Sequence, residues 1–292
     1  MHNFRVNYDK ILEVLKGLGF EGESFLSQAR KPKLSDLRVI ALTFTAEYMG
    51  IDSEHQLFRV LPSDFHLLIE RSVYNRRKRR LFFQIERVRQ KLVGCLNADD
   101  SCFIVDSMPL EVCKLSRSGR SKVCKETAYA QPNIGYCASQ KLHYYGYKLH
   151  AVCTVKGVFQ SLDITPASVH ELNYLKDVKT QLQDCLLLAD KGYVSADYQV
   201  NLFENQQIKL EVPMRKNQLS YQKQPYIFRK SRKRIETLFS QLCDQFMIRR
   251  NYAKSLMGFK TRILSKITAL TIIQFINNSL NRNINSLKIN IA

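Results

Sequence analysis

The sequence contains no hydrophobic run long enough to cross a membrane. Its longest apolar stretch, ITALTIIQFI at 267–276, is much shorter than the roughly 20 residues that a transmembrane helix needs. The first ten residues, MHNFRVNYDK, lack the basic and then apolar layout of a signal peptide. We therefore expect a cytoplasmic protein with no membrane partner. No internal repeat or low-complexity segment is present either, which excludes solenoid and fibrous architectures.

Paired cysteine motifs are also missing. The chain has eight cysteines but no CxxC pair, and without an export signal we expect these cysteines to be reduced thiols. Cys113, Cys124 and Cys137 together with His143 could form a zinc site, although their spacing matches no compact zinc knuckle. A zinc site is therefore the less favoured interpretation of these residues.

Acidic residues are scarce relative to basic ones. The 292 residues include 45 Lys and Arg but only 26 Asp and Glu, which gives a net charge of +19. Residues 226–292 hold 13 basic and 2 acidic residues, so more than half of the net charge lies in the last quarter of the chain. Such a concentrated excess favours a polyanionic partner, nucleic acid first and an acidic membrane surface second.

Residues 1–98 have the pattern of a helical domain. Apolar residues recur at helical spacing, Ser35 and Ser53 are placed as N-caps, and no alternating runs indicate a sheet. Short helices with tight turns favour a helix-turn-helix-like DNA-binding bundle. The basic run NRRKRR is either a solvated helix face or a set of phosphate contacts; its candidate DNA-binding residues are Arg76, Arg77, Arg79 and Arg80.

Residues 99–250 change to an α/β pattern. A β-prone run, CFIVDSMPL at 102–110, precedes a polar, basic loop of about thirty residues that is too long for a simple connection. A hairpin is expected at Lys156–Gly157, and the predicted order is β-β-β-α-β-α-β-α. This order indicates a mixed sheet flanked by helices. Residues 251–292 are predicted to form a C-terminal amphipathic helix.

Three carboxylates are candidates for a joint site. Asp106 and Asp190 interrupt or close apolar strands, FIVD and LLLAD, where an uncompensated carboxylate would be costly to bury. Glu236 follows the most basic stretch, FRKSRKRIETLFSQL. The aspartates could simply be turn or capping acids, and Glu236 could screen its cationic neighbours. Together, however, the three acids are the ligands that a hard divalent cation prefers.

Five stretches in the same order resemble the DDE transposases of bacterial insertion sequences, most closely the insertion-sequence family numbered 982. They are IVDSMPLEVC, YYGYKLHAV, ITPASVHE, LLADKGYVS and RKRIETLFSQL. The resemblance covers about Asp100 to Arg250. It implies an RNase H-like catalytic domain over 99–250 in which Asp106, Asp190 and Glu236 form a metal-binding catalytic triad.

The resemblance also implies an activity, together with cofactors and partners. The expected activity is the cutting and rejoining of DNA strands at the ends of the element by divalent-metal-dependent phosphoryl transfer. The expected cofactors are two Mg²⁺ ions, which Mn²⁺ could replace, with no small-molecule cofactor. The expected partner is double-stranded DNA, as terminal inverted repeats and target, handled by a homodimer associated with the bacterial nucleoid. Two alternatives remain open: a catalytically inactive DNA-binding regulator, and an RNase H-like nuclease that never joins strands.

Related transposases carry the signature Y-x2-R-x3-E-x6-K around the glutamate. Arg232 matches it, but Arg229 stands at the tyrosine position and Cys243 at the lysine position. Only the arginine role can therefore be carried over. Other candidate phosphate contacts are Lys191, Arg229, Lys233 and Arg234.

Other residues near these motifs have less specific patterns. His170 is a candidate active-site neighbour, because it follows a strand in a loop. His150 is more typical of a packed core histidine. Lys148 could face a DNA groove or solvent, and the nearby strand tyrosines, Tyr144, Tyr145 and Tyr147, are more typical of sheet packing than of base stacking.

Overall fold

A computed structural model describes residues 4–23, 25–27, 30–97, 100–214, 217, 221–288 and 291. The chain divides into two compact units, which we name the helical unit (1–96 with 241–292) and the sheet unit (97–240). Residues 98 and 99, between which the predicted domain boundary falls, lie outside the described residues. As domains with separate functions, the segments 1–98, 99–250 and 251–292 stay a prediction.

The helices and strands are given in chain order. The α-helices are α1 (Phe4–Leu15), α2 (Asp36–Tyr48), α3 (Glu54–Val60), α4 (Ser63–His66), α5 (Arg71–Arg80), α6 (Phe82–Leu96), α7 (Leu175–Gln181), α8 (Ala196–Gln206), α9 (Tyr226–Asp244) and α10 (Leu256–Ser279). The strands are β1 (Cys102–Cys113), β2 (Asn133–Cys137), β3 (Leu142–Thr154), β4 (Phe159–Pro166), β5 (Leu186–Leu188) and β6 (Lys209–Glu211). Among the described residues, no helix is long and apolar enough to span a bilayer.

The helical unit begins its helices where the sequence predicts. The Ser35 hydroxyl accepts the backbone N–H of Arg38 at the start of α2. The Ser53 hydroxyl accepts the N–H of Gln56 at 3.1 Å, and the Gln56 side chain accepts the N–H of Asp52 at 3.2 Å. These bonds satisfy backbone donors that the first helical turn cannot satisfy itself.

Helix α10 is buried around almost its whole circumference, so the prediction of an amphipathic helix is wrong. It packs against α1, α2, α5 and α6. Its polar positions do not mark a solvent face, because their hydroxyls bond to carbonyls one turn earlier in the same helix; these are Thr261, Ser265, Thr268 and Thr271. The buried ammonium of Lys266 is paired with Glu47 at 2.5 Å.

The sheet unit contains a mixed sheet with the order β2-β3-β1-β5-β6, and β4 pairs with β3. Strand β1 runs antiparallel to β3 and parallel to β5, which is itself parallel to β6. The hairpin between β3 and β4 turns at Gly157, whose φ of 95° suits glycine. The predicted fold class is confirmed: an α/β mixed sheet flanked by helices follows a helical N-terminal region. Strand β2 was not predicted.

Alternation along β1 and β5 decides which side chains face the helices. Phe103, Val105, Leu187 and Ala189 belong to one buried cluster, which also contains residues of α7 and α8. Because successive side chains on a strand point to opposite faces, the intervening positions face away from that cluster. Asp106 occupies such a position.

Candidate active site

Asp106 and Asp190 lie at the same level of two neighbouring strands. Strands β1 and β5 are parallel, and Ile104 is paired with Leu188. Asp106 and Asp190 each follow these partners by two residues, so they continue on the same face of the sheet. Their positions in the sequence are 84 residues apart, and the parallel pairing brings them together.

Helix α9 supplies the third acid and a nearby cation. Arg232 and Glu236 are four residues apart on α9, so they lie on the same side of the helix. The guanidinium of Arg232 is 3.2 Å from a carboxylate oxygen of Asp190, which ties this side of α9 to the end of β5. Glu236 itself is exposed. Its candidate role therefore depends on its place beside Arg232 rather than on burial.

The three acids share one electrostatic environment. The pKa of Asp106 is raised to about 7, chiefly by burial and also by the negative charges of Asp190 and Glu236; the backbone N–H of Ser107 and the charge of Arg232 act in the opposite direction. Such an accumulation of carboxylates favours a compensating cation. As hard oxygen donors, Asp106, Asp190 and Glu236 fit a divalent ion such as Mg²⁺.

The carboxylates of Asp106, Asp190 and Glu236 lie near one another, but they are not arranged as the ligands of a metal ion. One oxygen of Asp190 accepts the N–H of Lys191 at 2.5 Å in addition to facing Arg232. One oxygen of Asp106 accepts the N–H of Ser107 at 2.8 Å. Within the part of the chain that the structure describes, no three Asp, Glu, His or Cys side chains are grouped so as to hold a metal ion as they stand. That finding also gives no support to the alternative zinc site at Cys113, Cys124, Cys137 and His143; all eight cysteines are free thiols.

A second charged group, which the sequence reading missed, adjoins Asp106. Glu171 accepts hydrogen bonds from the ammonium of Lys148 at 3.0 Å and from the hydroxyl of Ser107 at 3.2 Å. A Cβ atom added to Gly192, in the turn after Asp190, would lie 3.0 Å from the Glu171 carboxylate. Glu171 thus contacts both segments that carry the aspartates. Lys148 is buried in this pair and faces neither a groove nor solvent.

The two histidines of this region have different surroundings. His150 is fully buried, bonds Thr165 at 2.9 Å and stacks on Tyr174. Burial lowers its pKa to about 4, so it is a neutral core residue at pH 7. His170 is exposed, and its ring nitrogen accepts the N–H of Leu172 as the cap of a short helix. It adjoins Glu171 in sequence, but among the contacts of the described residues none joins it to the three acids.

The tyrosine after Gly192 is another neighbour that the sequence reading missed. Tyr193 is buried, and its hydroxyl has no hydrogen-bond partner among the described residues. Burial raises its pKa well above the ordinary value, as do the charges of Asp106 and Glu171. It is therefore a protonated phenol that lies close to both carboxylates.

The candidate DNA-binding cations fall into exposed and buried classes. Arg77 is buried, with its guanidinium bonded to Asp36 at 2.5 Å and to the carbonyl of Leu34. It fastens α5 to α2, so a phosphate contact has no support from its placement. Arg79 is partly buried and packs over Gly258. The exposed candidates are Arg76, Arg80, Lys191, Arg229 and Lys233, and Arg232 and Arg234 are half-buried.

Comparison with known proteins identifies the family. No curated protein matches the chain. A family model described as a transposase DDE domain matches residues 97–272, which is more than half of the chain and includes all three candidate acids. A transposase domain implies a DNA substrate, and this family generally depends on a divalent metal. The chain therefore belongs to the family of DDE transposase domains, whose catalytic fold is RNase H-like.

Proposed function

We propose that this protein is the transposase of a bacterial insertion sequence, which cuts DNA at the ends of its element and joins those ends to a target. The observation that carries the proposal is the shared position of Asp106 and Asp190 on adjacent parallel strands. Glu236 is close enough to affect the same carboxyl group. Membership of the DDE transposase family supports this assignment of roles.

In this proposal Asp106, Asp190 and Glu236 hold two Mg²⁺ ions, which Mn²⁺ can replace. Bound ions in such a site stabilise the charge that develops during in-line phosphoryl transfer between an attacking and a leaving oxygen. Arg232 neutralises Asp190 and lies where it can also meet a DNA phosphate. Lys191, in the turn after Asp190, and Arg229, Lys233 and Arg234, on α9, would add further phosphate contacts near the acids.

Other parts of the proposal concern the assembly. The helical region 1–98 would bind the terminal inverted repeats in the manner of a helix-turn-helix protein, with Arg76 and Arg80 on phosphates. Two protein copies would hold the two element ends, which favours a homodimer bound to the nucleoid. Membership of the insertion-sequence family numbered 982 rests on the sequence motifs alone.

The test is a cleavage and strand-transfer assay with labelled element-end DNA and Mg²⁺. The variants Asp106→Asn, Asp190→Asn and Glu236→Gln should lower the rate by orders of magnitude while DNA affinity stays within a few fold. Asp197→Asn, an exposed acid in the first turn of α8, is the matched control and should keep full activity. Chelation of the metal should abolish cleavage by the wild-type protein and spare binding.

Three outcomes would contradict the proposal in different ways. Wild-type cleavage without joining would indicate an RNase H-like nuclease, and DNA binding alone would indicate a regulator. Normal cleavage by the Asp106→Asn variant would remove that residue from the triad.

A further inference from the structure

The segment from Lys114 to Lys125, which lies between β1 and β2, is a second basic stretch of the sheet unit, separate from the one on α9. It contains five cations and no acid in twelve residues. Within the described residues, none of the five side chains forms an ion pair or a hydrogen bond. They are Lys114, Arg117, Arg120, Lys122 and Lys125. We call this stretch the β1–β2 segment; the proposed function assigns it no role.

The backbone of the β1–β2 segment is held in place by the sheet. The phenol of Tyr147, on β3, donates to the carbonyl of Ala130 at 2.9 Å and lies 3.4 Å from the carbonyl of Cys124. Cys124 is itself buried. A short 3₁₀ helix at Leu115–Arg120 and a bond from the N–H of Val123 to the Ser121 hydroxyl order the stretch before it. The cations therefore project from an anchored backbone.

Two of these arginines share a cavity. An open cavity of about 450 Å³ is lined by Cys113, Arg117, Arg120 and Ser121. Two guanidinium groups and a hydroxyl supply donors that match the oxygens of a phosphate group. Because the cavity is open to solvent, it suits a phosphate that belongs to a long polymer better than a small metabolite, which is usually enclosed.

Electrostatics also favours a polymeric anion. Five like charges within twelve residues repel one another, and within the described residues no carboxylate pairs with them. A solvated surface could tolerate this repulsion, but the shared cavity brings two of the charges, Arg117 and Arg120, to one place. DNA is the substrate that the family implies, and its phosphates would relieve the repulsion while releasing counterions.

We propose that the β1–β2 segment is a separate binding site for the DNA backbone, with one phosphate held between Arg117 and Arg120. This inference rests on the proposed function for the position of the cut bond. Cys113 follows Asp106 by seven residues on β1, which corresponds to about 23 Å of strand. At about 3.4 Å per nucleotide, the phosphate lies on the order of seven nucleotides from the cut bond.

The test compares two double variants of equal charge. Arg117→Gln/Arg120→Gln removes the proposed site, whereas Lys176→Gln/Lys209→Gln removes two exposed cations elsewhere in the sheet unit. Affinity for end DNA is measured over a range of salt concentrations. The first variant should reduce the slope of log K against log salt by about 1, because the site holds one phosphate and each lost phosphate contact changes that slope by roughly 0.9. The control should leave the slope unchanged.

Further measurements separate a lost contact from a misfolded protein. Arg117→Lys/Arg120→Lys keeps both charges and should retain most of the slope. Hydroxyl-radical footprinting with the glutamine variant should lose protection about seven nucleotides from the cut bond and keep protection at the bond itself. Equal slopes for the glutamine variant and the control would overturn the inference, as would an unchanged footprint.

The two proposals fail separately. If the wild-type protein cleaves and joins DNA but the glutamine variant binds as the wild type does, only the β1–β2 inference is wrong. If the slope depends on Arg117 and Arg120 but the wild-type protein never cleaves, the binding site stands and the proposed activity is wrong.

Discussion

At the scale of single residues, Glu171 is the side chain with the most connections around the candidate acids. Lys148 is buried, so its charge depends on Glu171 for compensation. The charge of Lys148 and the hydrogen bonds from Lys148 and Ser107 in turn lower the pKa of Glu171, against the opposing effect of burial. A carboxylate that contacts Ser107 and the turn at Gly192 can restrict the segments on both sides of the site.

We expect Glu171→Gln to act as the loss of a positioning residue. The rate of DNA cleavage should fall by about 10- to 100-fold with DNA affinity nearly unchanged, as for loss of an outer-shell partner. Lys148→Met should have a similar effect. The double variant should be no slower than either single variant, because the pair acts jointly. Additive losses, or a rate loss that follows the melting temperature across the variants, would show that the two residues act only on stability.

The lowered pKa of His150 predicts how the stability of the protein depends on pH. Its pKa is about 4 in the folded protein and about 6.5 when the chain is unfolded. The folded state therefore binds fewer protons than the unfolded state between these values, and stability falls as the pH drops through this window. His150 should account for a loss of about 2 kcal/mol in the free energy of unfolding between pH 7 and pH 5.

The measurement for His150 is urea unfolding at both pH values, followed by circular dichroism. His150→Gln should show a smaller loss than the wild-type protein, because glutamine does not titrate. Equal losses in the two proteins would mean that His150 is not the group responsible.

A functional residue can be predicted from the sequence when its neighbours in the sequence identify it. An acid inside an apolar strand is visible in FIVD and LLLAD, so Asp106 and Asp190 could be singled out. Glu171 could not, because its partners Lys148 and Ser107 are 23 and 64 residues away. Arg77 was placed among the DNA contacts because a charge run does not reveal that Asp36 neutralises one member.

At the scale of elements, a helix or strand can be predicted from sequence when it is long and when its own residues, rather than its partners, determine its structure. Long strands and capped helices were predicted because their periodicity and caps are local. Strand β2 has five residues and depends on pairing with the first half of β3, so its own sequence carries little signal. In α10, the Ser and Thr residues have the sequence pattern of a solvent-facing side. In the structure their hydroxyls bond to carbonyls of the same helix, and this side of the helix is buried.

The buried pair between α2 and α10 should be costly to break. Lys266→Met leaves the buried carboxylate of Glu47 without its closest cation and leaves the carbonyl of Phe246 without its donor. We expect the free energy of unfolding to fall by roughly 3–5 kcal/mol, the range for breaking a buried ion pair. Chemical denaturation monitored by circular dichroism measures this loss.

Thr268→Val is the matched control on the same helix. Within the described part of the chain its hydroxyl bonds one group, the carbonyl of Leu264, so its loss should cost no more than about 1.5 kcal/mol. A Lys266→Met variant as stable as this control would show that the ion pair contributes nothing to the helical unit.

At the scale of the whole molecule, both ends of the chain belong to the same unit. Residues 241–292 fold with residues 1–96, and the sheet unit is inserted between them in sequence. The contacts responsible join residues more than 200 positions apart, such as Lys266 and Glu47. Composition and periodicity carry no information about pairing over such distances, so the sequence predicted a separate C-terminal segment.

This arrangement predicts what deletion of residues 251–292 would do. The deletion removes α10, against which α2 and α6 pack, and the helical unit loses the centre of its core. Hydrogen exchange followed by mass spectrometry should then show amides of α2 and α6 exchanging near the rates of an unfolded chain. Amides of β1 and β3 should stay protected, because their ladder lies within residues 97–240.

The control for this deletion is a chain that ends at residue 286, which keeps all of α10 and should retain protection in both units. Unchanged protection of α2 and α6 in the shorter chain would mean that residues 4–96 fold without α10. In that case 251–292 would be the separate segment that the sequence predicts. Loss of protection confined to α2 and α6 would instead identify α10 as the element that joins the two ends of the chain into one folding unit.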